Sequence, residues 1–360
     1  MRKRILIVTM VLIIVFTFIN YGENTNAKVI ELQDIRVGMV TDSGTLYDNS
    51  FNQSTWEGIQ KAAKEFNLDS TYFKPIEPTE SSFIQQINNL IDSGYNLIVT
   101  PGVRFESTIF KAQNQYKNVK FIIVNTVPTD KGKVYVADNT VAILLSEHEA
   151  GFLVGVATAI QLKDGKVGFI GGLEVPTVQR FNWGFQQGIK YANKNFGTKI
   201  EISPEDVVYT GSFTNSTETQ KLAAEMYNRG VRAIFVKASE SAIGAINEAK
   251  KRAFSGKEAW IIGVERDQYD EGIYMPRKSV ILTSAIRKLG DATYEVIKDS
   301  VEGKFPGGKT LIYDTKNNGV GIPEKNPNLS EETIKKVNEV YEKIKSGEIK
   351  ISPEKDGLIK

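Results

Sequence analysis

From residue 35 to about residue 302, short apolar runs alternate with amphipathic stretches, and this alternation restricts what the chain can fold into. Leu97-Ile98-Val99, Phe121-Ile122-Ile123-Val124 and Trp260-Ile261-Ile262 are continuous apolar runs, the pattern of strands covered by helices on both faces. Between such runs, Gln53 to Glu65 places Trp56, Ile59, Ala63 and Phe66 at helical spacing. Phe83, Ile87, Leu90 and Ile91 do the same, as do Phe181, Phe185, Ile189 and Ala192 within Thr177 to Asn195. These aromatic stripes read as core. The alternation predicts an α/β protein with parallel sheets. Strands are expected to begin near Arg36, Ser70, Asn96 and Lys120, and again near Lys166, Val207, Ala233 and Ala259, a loose duplication that implies two lobes. A later strand at Val280–Thr283 and a helix at Asp291–Glu302 follow. Thr310–Asp314 and Gly319–Ile322 read as a hairpin around Lys316-Asn317-Asn318, and Ser330 is expected to cap a last helix. The first lobe is assigned residues 35–138 plus about 268–305. The second takes 139–267 plus about 306–325, with a terminal helix over 329–348 and the crossover near Tyr135–Val141. Ligands of open parallel sheets bind at the carboxyl ends of the strands, so a cleft between the lobes is the expected site.

The amino terminus is of another kind. Arg2, Lys3 and Arg4 precede an apolar run from Ile5 to Ile19, followed by Thr25-Asn26-Ala27. This is the layout of an export signal over residues 1–27, and the run is short for a span of ~20 residues. Cleavage and retention as an anchor are both compatible with it. The full chain carries 45 basic and 43 acidic residues, and residues 1–27 hold three of the basic ones and one acidic, so the remainder is balanced. Nothing in that balance predicts nucleic-acid binding. The absence of cysteine removes disulfides, thiolate metal sites and cysteine nucleophiles, and the lone His148 removes multi-histidine metal sites.

Enzyme and cofactor signatures are thin. Gly168-Phe169-Ile170-Gly171-Gly172 follows a strand but lacks the Gly-Lys-Ser/Thr ending of a phosphate loop and the glycine spacing of a dinucleotide site, so a tight strand-to-helix turn is expected there. His148 has no second histidine four residues on and no Gly-x-Ser-x-Gly elbow to serve, and reads as a surface or helix-packing residue. The strand ends are more informative. Asp42, Asn125, Glu265, Phe213 and Arg287 each follow an expected strand, and Phe51-Asn52 opens a helix behind the polar turn at Asp42–Ser50. Polar residues after strands are common as caps. An aromatic and four polar groups at five strand ends are better explained by a polar ligand with a flat ring.

Those segments carry a resemblance. Asp42-Ser43-Gly44 with Asp48-Asn49-Ser50-Phe51-Asn52, Glu149-Ala150-Gly151-Phe152-Leu153-Val154-Gly155, Gly168–Gly172 before Pro176, Gly184-Phe185-Gln186-Gln187-Gly188, Gly211-Ser212-Phe213, Gly263-Val264-Glu265-Arg266-Asp267-Gln268 and Leu282-Thr283-Ser284 occur in this order. Together they resemble the basic membrane protein family of exported receptors, whose best-understood branch comprises purine nucleoside receptors of the PnrA type. The resemblance covers nearly all of residues 36–350. It implies a type I periplasmic-binding-protein fold, two Rossmann-like lobes joined by a multi-strand hinge, and a nucleoside, purine foremost, held between them by a non-enzymatic receptor. Phe51 and Phe213 would sandwich the base, and Asp42, Asn52 and either Asn125 or Asp138 would address polar edges. Glu265 and Arg287 would meet the ribose hydroxyls. The implied partners are the permease subunits of an ABC transporter, with no cofactor or metal, and a monomer is expected.

The chain also departs from the family pattern. Glu265 stands for the usual Asp, Arg287 for the usual Lys, and Asn125 for a frequent Asp. Lys237-Ala238-Ser239-Glu240-Ser241 replaces a glycine-rich loop, adding bulk and charge beside the ligand and making Ser239 a candidate contact. No lipobox cysteine ends the signal, so an exported protein without a lipid anchor is expected: periplasmic, secreted or envelope-associated. The altered loop also motivates a different reading, a surface interaction protein of the same fold with a changed pocket. An enzymatic reading, nucleoside hydrolysis or phosphorolysis, lacks a nucleophile or paired acid.

Overall fold

The structure is a computed structural model that describes residues 34–42 and 45–355. The expected signal at 1–27 lies outside the described residues, as do Ser43 and Gly44. The first part of the chain runs β1 (Arg36–Val40), α1 (Phe51–Phe66), β2 (Asp69–Phe73), α2 (Glu80–Asp92), β3 (Leu97–Pro101), α3 (Glu106–Gln115) and β4 (Lys120–Val124). A small antiparallel pair, β5 (Thr129–Asp130) with β6 (Lys133–Val134), leads to β7 (Thr140–Leu145). The second part runs α4 (Glu147–Leu162), β8 (Asp164–Gly171), α5 (Pro176–Phe196), β9 (Lys199–Glu201), β10 (Val207–Tyr209), α6 (Ser216–Asn228), β11 (Val231–Lys237), α7 (Ala242–Phe254) and β12 (Trp260–Glu265). Another small pair, β13 (Ile273–Met275) with β14 (Lys278–Ser279), precedes β15 (Ile281–Arg287), α8 (Leu289–Val301), β16 (Lys309–Tyr313), β17 (Val320–Gly321) and α9 (Glu331–Lys345).

Two sheets result. The first has the order β16-β7-β4-β3-β1-β2 and is parallel throughout. The second has the order β10-β8-β11-β12-β15-β17, with β9 on β8, and only β17 runs antiparallel. Strand interiors such as Leu97, Ile98 and Val99 are fully buried, because helices cover both faces. The aromatic stripe of α5 is core, as its spacing predicts: Phe181 and Phe185 pack on Phe235 of β11 with ring centroids 5.9 and 5.2 Å apart. Burying each such ring contributes about 1.5–3 kcal/mol. Helix α4 is apolar nearly all round because α5, α9, β15 and β17 enclose it. Its Gly155 faces α5 so closely that a Cβ would lie 2.3 Å from the Phe185 carbonyl oxygen, which fixes the pair at backbone contact. Ser330 caps α9 as expected, accepting the Thr333 N–H.

The lobe boundaries differ from the sequence expectation in three places. β7 belongs to the first sheet, so the chain first crosses at Ser146 rather than near Tyr135–Val141. β15 lies in the second sheet although 268–305 was assigned to the first lobe; within that range α8 does pack on α1. The expected hairpin does not form. β16 pairs in parallel with β7, from Lys309↔Val141 to Tyr313↔Leu145, whereas β17 pairs antiparallel with β15 in the other sheet. The turn chemistry was legible, since Asn317 Oδ1 accepts the Asp314 N–H at 2.9 Å and Asn318 is left-handed at φ 57°. Which edges the flanking strands join depends on distant partners, and a local pattern carries no record of them. Three crossings thus form the hinge, tied by Ser146 N–H to the Tyr313 carbonyl and Lys288 N–H to the Gly319 carbonyl, each at 2.9 Å.

Candidate ligand-binding site

The carboxyl ends of β1, β3 and β4 face those of β8, β11 and β12 across the cleft, and helix starts bring the side chains in. Asp48 organises the first-lobe side. Its carboxylate accepts N–H groups from Ser50 at 2.9 Å, Asn52 at 3.1 Å and Gln53 at 3.2 Å, the donors that a helix start leaves free. Burial pushes the Asp48 carboxyl up and these hydrogen bonds oppose it. The result fixes Phe51 and Asn52 in the first turn of α1, and Asn52 donates its amide to Asp42 Oδ1 at 3.2 Å. On the second lobe, Gly172 makes room for Phe213: a Cβ there would lie 2.2 Å from the ring. Gly171 ends β8, and Gly172 opens the short turn to α5 and seats the aromatic ring.

A cavity of about 40 Å³ lies between the lobes, walled by Asp42, Phe51, Asn125, Phe213, Lys237 and Ser239, with Val175 and Thr177 at the start of α5. Five of the nine sequence candidates therefore line one cavity: Asp42, Phe51, Asn125, Phe213 and Ser239. Asn52 stands directly behind Asp42. Asp138 does not take part. It is exposed at the amino end of β7, beside Gly308, because β7 runs parallel to β4 and its preceding loop lies at the far edge of the sheet. A larger groove of about 730 Å³ runs between the hinge and α9, lined by Ile286, Val320 and Tyr341, and gathers none of the candidates.

Glu265 and Arg287 are close but turned away from the cavity. Arg287 donates Nε and Nη2 to the two oxygens of Glu265, both at 2.7 Å, and Nη1 to Asn125 Oδ1 and to Glu147 Oε1. Lys237 Nζ lies 2.9 Å from Glu265 Oε1, and Arg180 completes the set at 2.9 Å from Glu147. The side chains of Glu265 and Arg287 have no exposure at all. Burial alone would raise the Glu265 carboxyl, but the charges of Arg287 and Lys237 outweigh it and hold the group at about 2. Asn125, Ser239 and Glu265 all adopt left-handed backbone, at φ 71°, 49° and 72°. Such strain costs on the order of 1–3 kcal/mol per non-glycine residue and collects at functional sites.

Sequence reasoning treated Lys237 as part of a loop that adds bulk and charge and missed its place on the cavity wall. Its ammonium sits 5.8 Å from the Phe51 ring, 6.0 Å from Phe213 and 5.7 Å from Phe181, within cation–π range of each. The signal was its position at the end of β11, the same kind of position that marked Asn125 and Glu265. The lobes are shut on this wall. Ser239 Oγ donates to Asp48 at 3.0 Å, Gln268 to the Asn49 carbonyl at 3.1 Å, and Arg266 to Glu57 at 3.1 Å. His148 lies apart, in the first turn of α4, with its pKa depressed to about 4 by burial and then by the Arg180 charge. Among the described residues no group of His, Asp and Glu could hold a metal ion, and no helix is long and apolar enough to cross a membrane.

Two α/β lobes on a three-crossing hinge, closed over a small cavity with aromatic and polar walls, define a solute-binding protein of the periplasmic type. The chain belongs to the Bmp family, described as ABC transporter substrate-binding protein PnrA-like, which it matches over residues 35–355. It is 34% identical over 332 residues to a CD4+ T-cell-stimulating antigen of Listeria monocytogenes, covering 90% of this chain and 89% of that one. It is 31% identical over 312 residues to the ABC transporter nucleoside-binding protein BmpA of Lactococcus lactis, covering 84% of each. Among solved structures, an ABC transporter solute-binding protein from Aeropyrum pernix K1 superposes with a TM-score of 0.77 at 26% identity, over 89% of this chain and 94% of that one. The family consists of substrate-binding proteins of transporters, not enzymes, and works on the outer side of the membrane.

Proposed function

We propose that the chain is the receptor of an ABC importer for a nucleoside-type solute, a purine foremost, whose base lies between Phe51 and Phe213. The observation that carries this is that the two rings wall one cavity from opposite lobes, with Asp42 and Asn125 beside them. Stacking on aromatic faces contributes ~1–3 kcal/mol per base and accepts different bases. Asp42 and the Asn125 amide supply hydrogen bonds in the plane of the ring. The nucleoside-binding relative from Lactococcus lactis supports the same solute class. Closure of the lobes around the solute presents the shut form to permease subunits. Similarity over residues 35–355 to transporter substrate-binding proteins does not favour the surface-interaction reading.

Isothermal calorimetry with adenosine, guanosine, inosine, cytidine and their free bases tests the proposal. Binding by at least one of them in the micromolar range or tighter is expected. Failure of all of them at high micromolar concentration overturns it. Mass spectrometry of any solute that copurifies with the protein gives an independent check.

A further inference from the structure

The walls of the cavity differ in what they offer a ligand. Glu265, the group that the family resemblance assigns to ribose hydroxyls, has no exposed side-chain surface and already binds three N–H donors, two from Arg287 and one from Lys237. A vicinal diol therefore finds no spare carboxylate there to accept its two protons. Lys237 stands in front of it on the cavity wall. An ammonium has three donors, and among the described residues its one ion pair, with Glu265, uses one of them. Arg287 binds the amide oxygen of Asn125, a residue of the cavity wall, and so fixes the orientation of that amide. The acceptor on the cavity wall is the Asp42 carboxylate, oriented by Asn52. Donors and a carboxylate around one cavity match a flat ring with carbonyl oxygens on one edge and N–H groups on another. With the Glu265 carboxylate closed off from the ribose hydroxyls, the walls favour the ring without its sugar.

We propose that the preferred ligand is a sugar-free, carbonyl-bearing nitrogen heterocycle, an oxopurine or oxopyrimidine base, with its N–H edge on Asp42 and a carbonyl oxygen on Lys237. Lys237 sets the preference for base over nucleoside. This rests on the interlobe cavity being the receptor's solute site, and it moves the preferred ligand from the nucleoside to its free base.

The test is calorimetry with three matched pairs: hypoxanthine and inosine, xanthine and xanthosine, uracil and uridine. In the wild-type protein at least one base binds tenfold or more tighter than its nucleoside. In Lys237→Met, which keeps the length of the side chain and removes its donors, that ratio falls toward one, and Lys237→Arg retains most of it. The ratio within one variant does not depend on the fraction of protein that is folded, so a destabilised Lys237→Met still gives a reading. Nucleosides binding as tightly as bases in the wild type overturns this inference and leaves the receptor proposal standing, as does a ratio that Lys237→Met leaves unchanged. Failure of every base and every nucleoside overturns both.

Discussion

Replacing Glu265 by Gln isolates the contribution of the buried charge network. Among the described residues its carboxylate is the one negative partner that touches both Arg287 and Lys237, whose side chains are 0% and 7% exposed. The variant keeps the shape and removes the charge, leaving two cations with Glu147 as the remaining carboxylate in contact with Arg287. Removing one partner of a buried pair costs ~3–5 kcal/mol, because the other charge stays buried. The depression of Glu265 from 4.5 to about 2 leads independently to roughly 3 kcal/mol at pH 7, at 1.36 kcal/mol per unit. The pH dependence has a fixed sign. A carboxyl whose pKa is lowered by folding stabilises the protein fully above its unfolded value, and that contribution is lost as pH falls through the folded value. The deficit of Glu265→Gln is therefore expected to be roughly 3 kcal/mol at pH 7 and to shrink to roughly 1–1.5 kcal/mol at pH 3. Urea titrations followed by circular dichroism at pH 7, 5 and 3 measure it, and at pH 7 the midpoint should drop by about 1 M. A deficit under about 1 kcal/mol at pH 7, or one that does not change with pH, refutes the account of a network held by ionised Glu265.

Phe51→Ala and Phe213→Ala should each weaken solute binding by ~1–3 kcal/mol, read by calorimetry, with Phe213→Ala perturbing the melting temperature less because Phe213 is only half-buried. Since His148 is the sole histidine, its ring protons are assignable in a proton NMR titration, and the midpoint should lie near 4 instead of the usual 6.5. A midpoint above 6 contradicts its burial beside Arg180. Arg266→Ala removes an ion pair across the cleft whose partners are 32% and 55% exposed, so stability should change by no more than ~0.5 kcal/mol in the same urea assay.

Most of the fold was legible because it rests on periodicity. The eight expected strand starts fall within two residues of those observed, and the α5 stripe of Phe181, Phe185 and Ile189 is fully buried. What escaped was lateral. A strand's sequence states that both its faces are covered but does not name its neighbour, so β16 and β17 were paired with each other instead of with β7 and β15. The site divides in the same way. Phe51, Phe213, Asp42 and Asn125, picked from their positions after strands and at a helix start, line one cavity. Asp138 was misplaced because it precedes its strand, at the end away from the cleft, whereas Asp42 and Asn125 follow theirs. The engagement of Glu265 by Arg287 depends on side-chain contacts between residues 22 apart, and no strand-end pattern records them.

The three crossings at the hinge also govern how the chain can mature. The first lobe begins at Arg36 but lacks its edge strand until Tyr313, and its α1 waits for α8, whose Tyr294 binds Glu65 from 229 residues away. Neither lobe is a continuous piece of chain, so neither can finish while the chain is still being made. Contacts of such long separation form late, after a large loop-closure cost. A nascent chain of this design stays open until almost all of it has emerged. Delay of that kind suits a protein threaded unfolded through a narrow pore, which can become compact only on the far side.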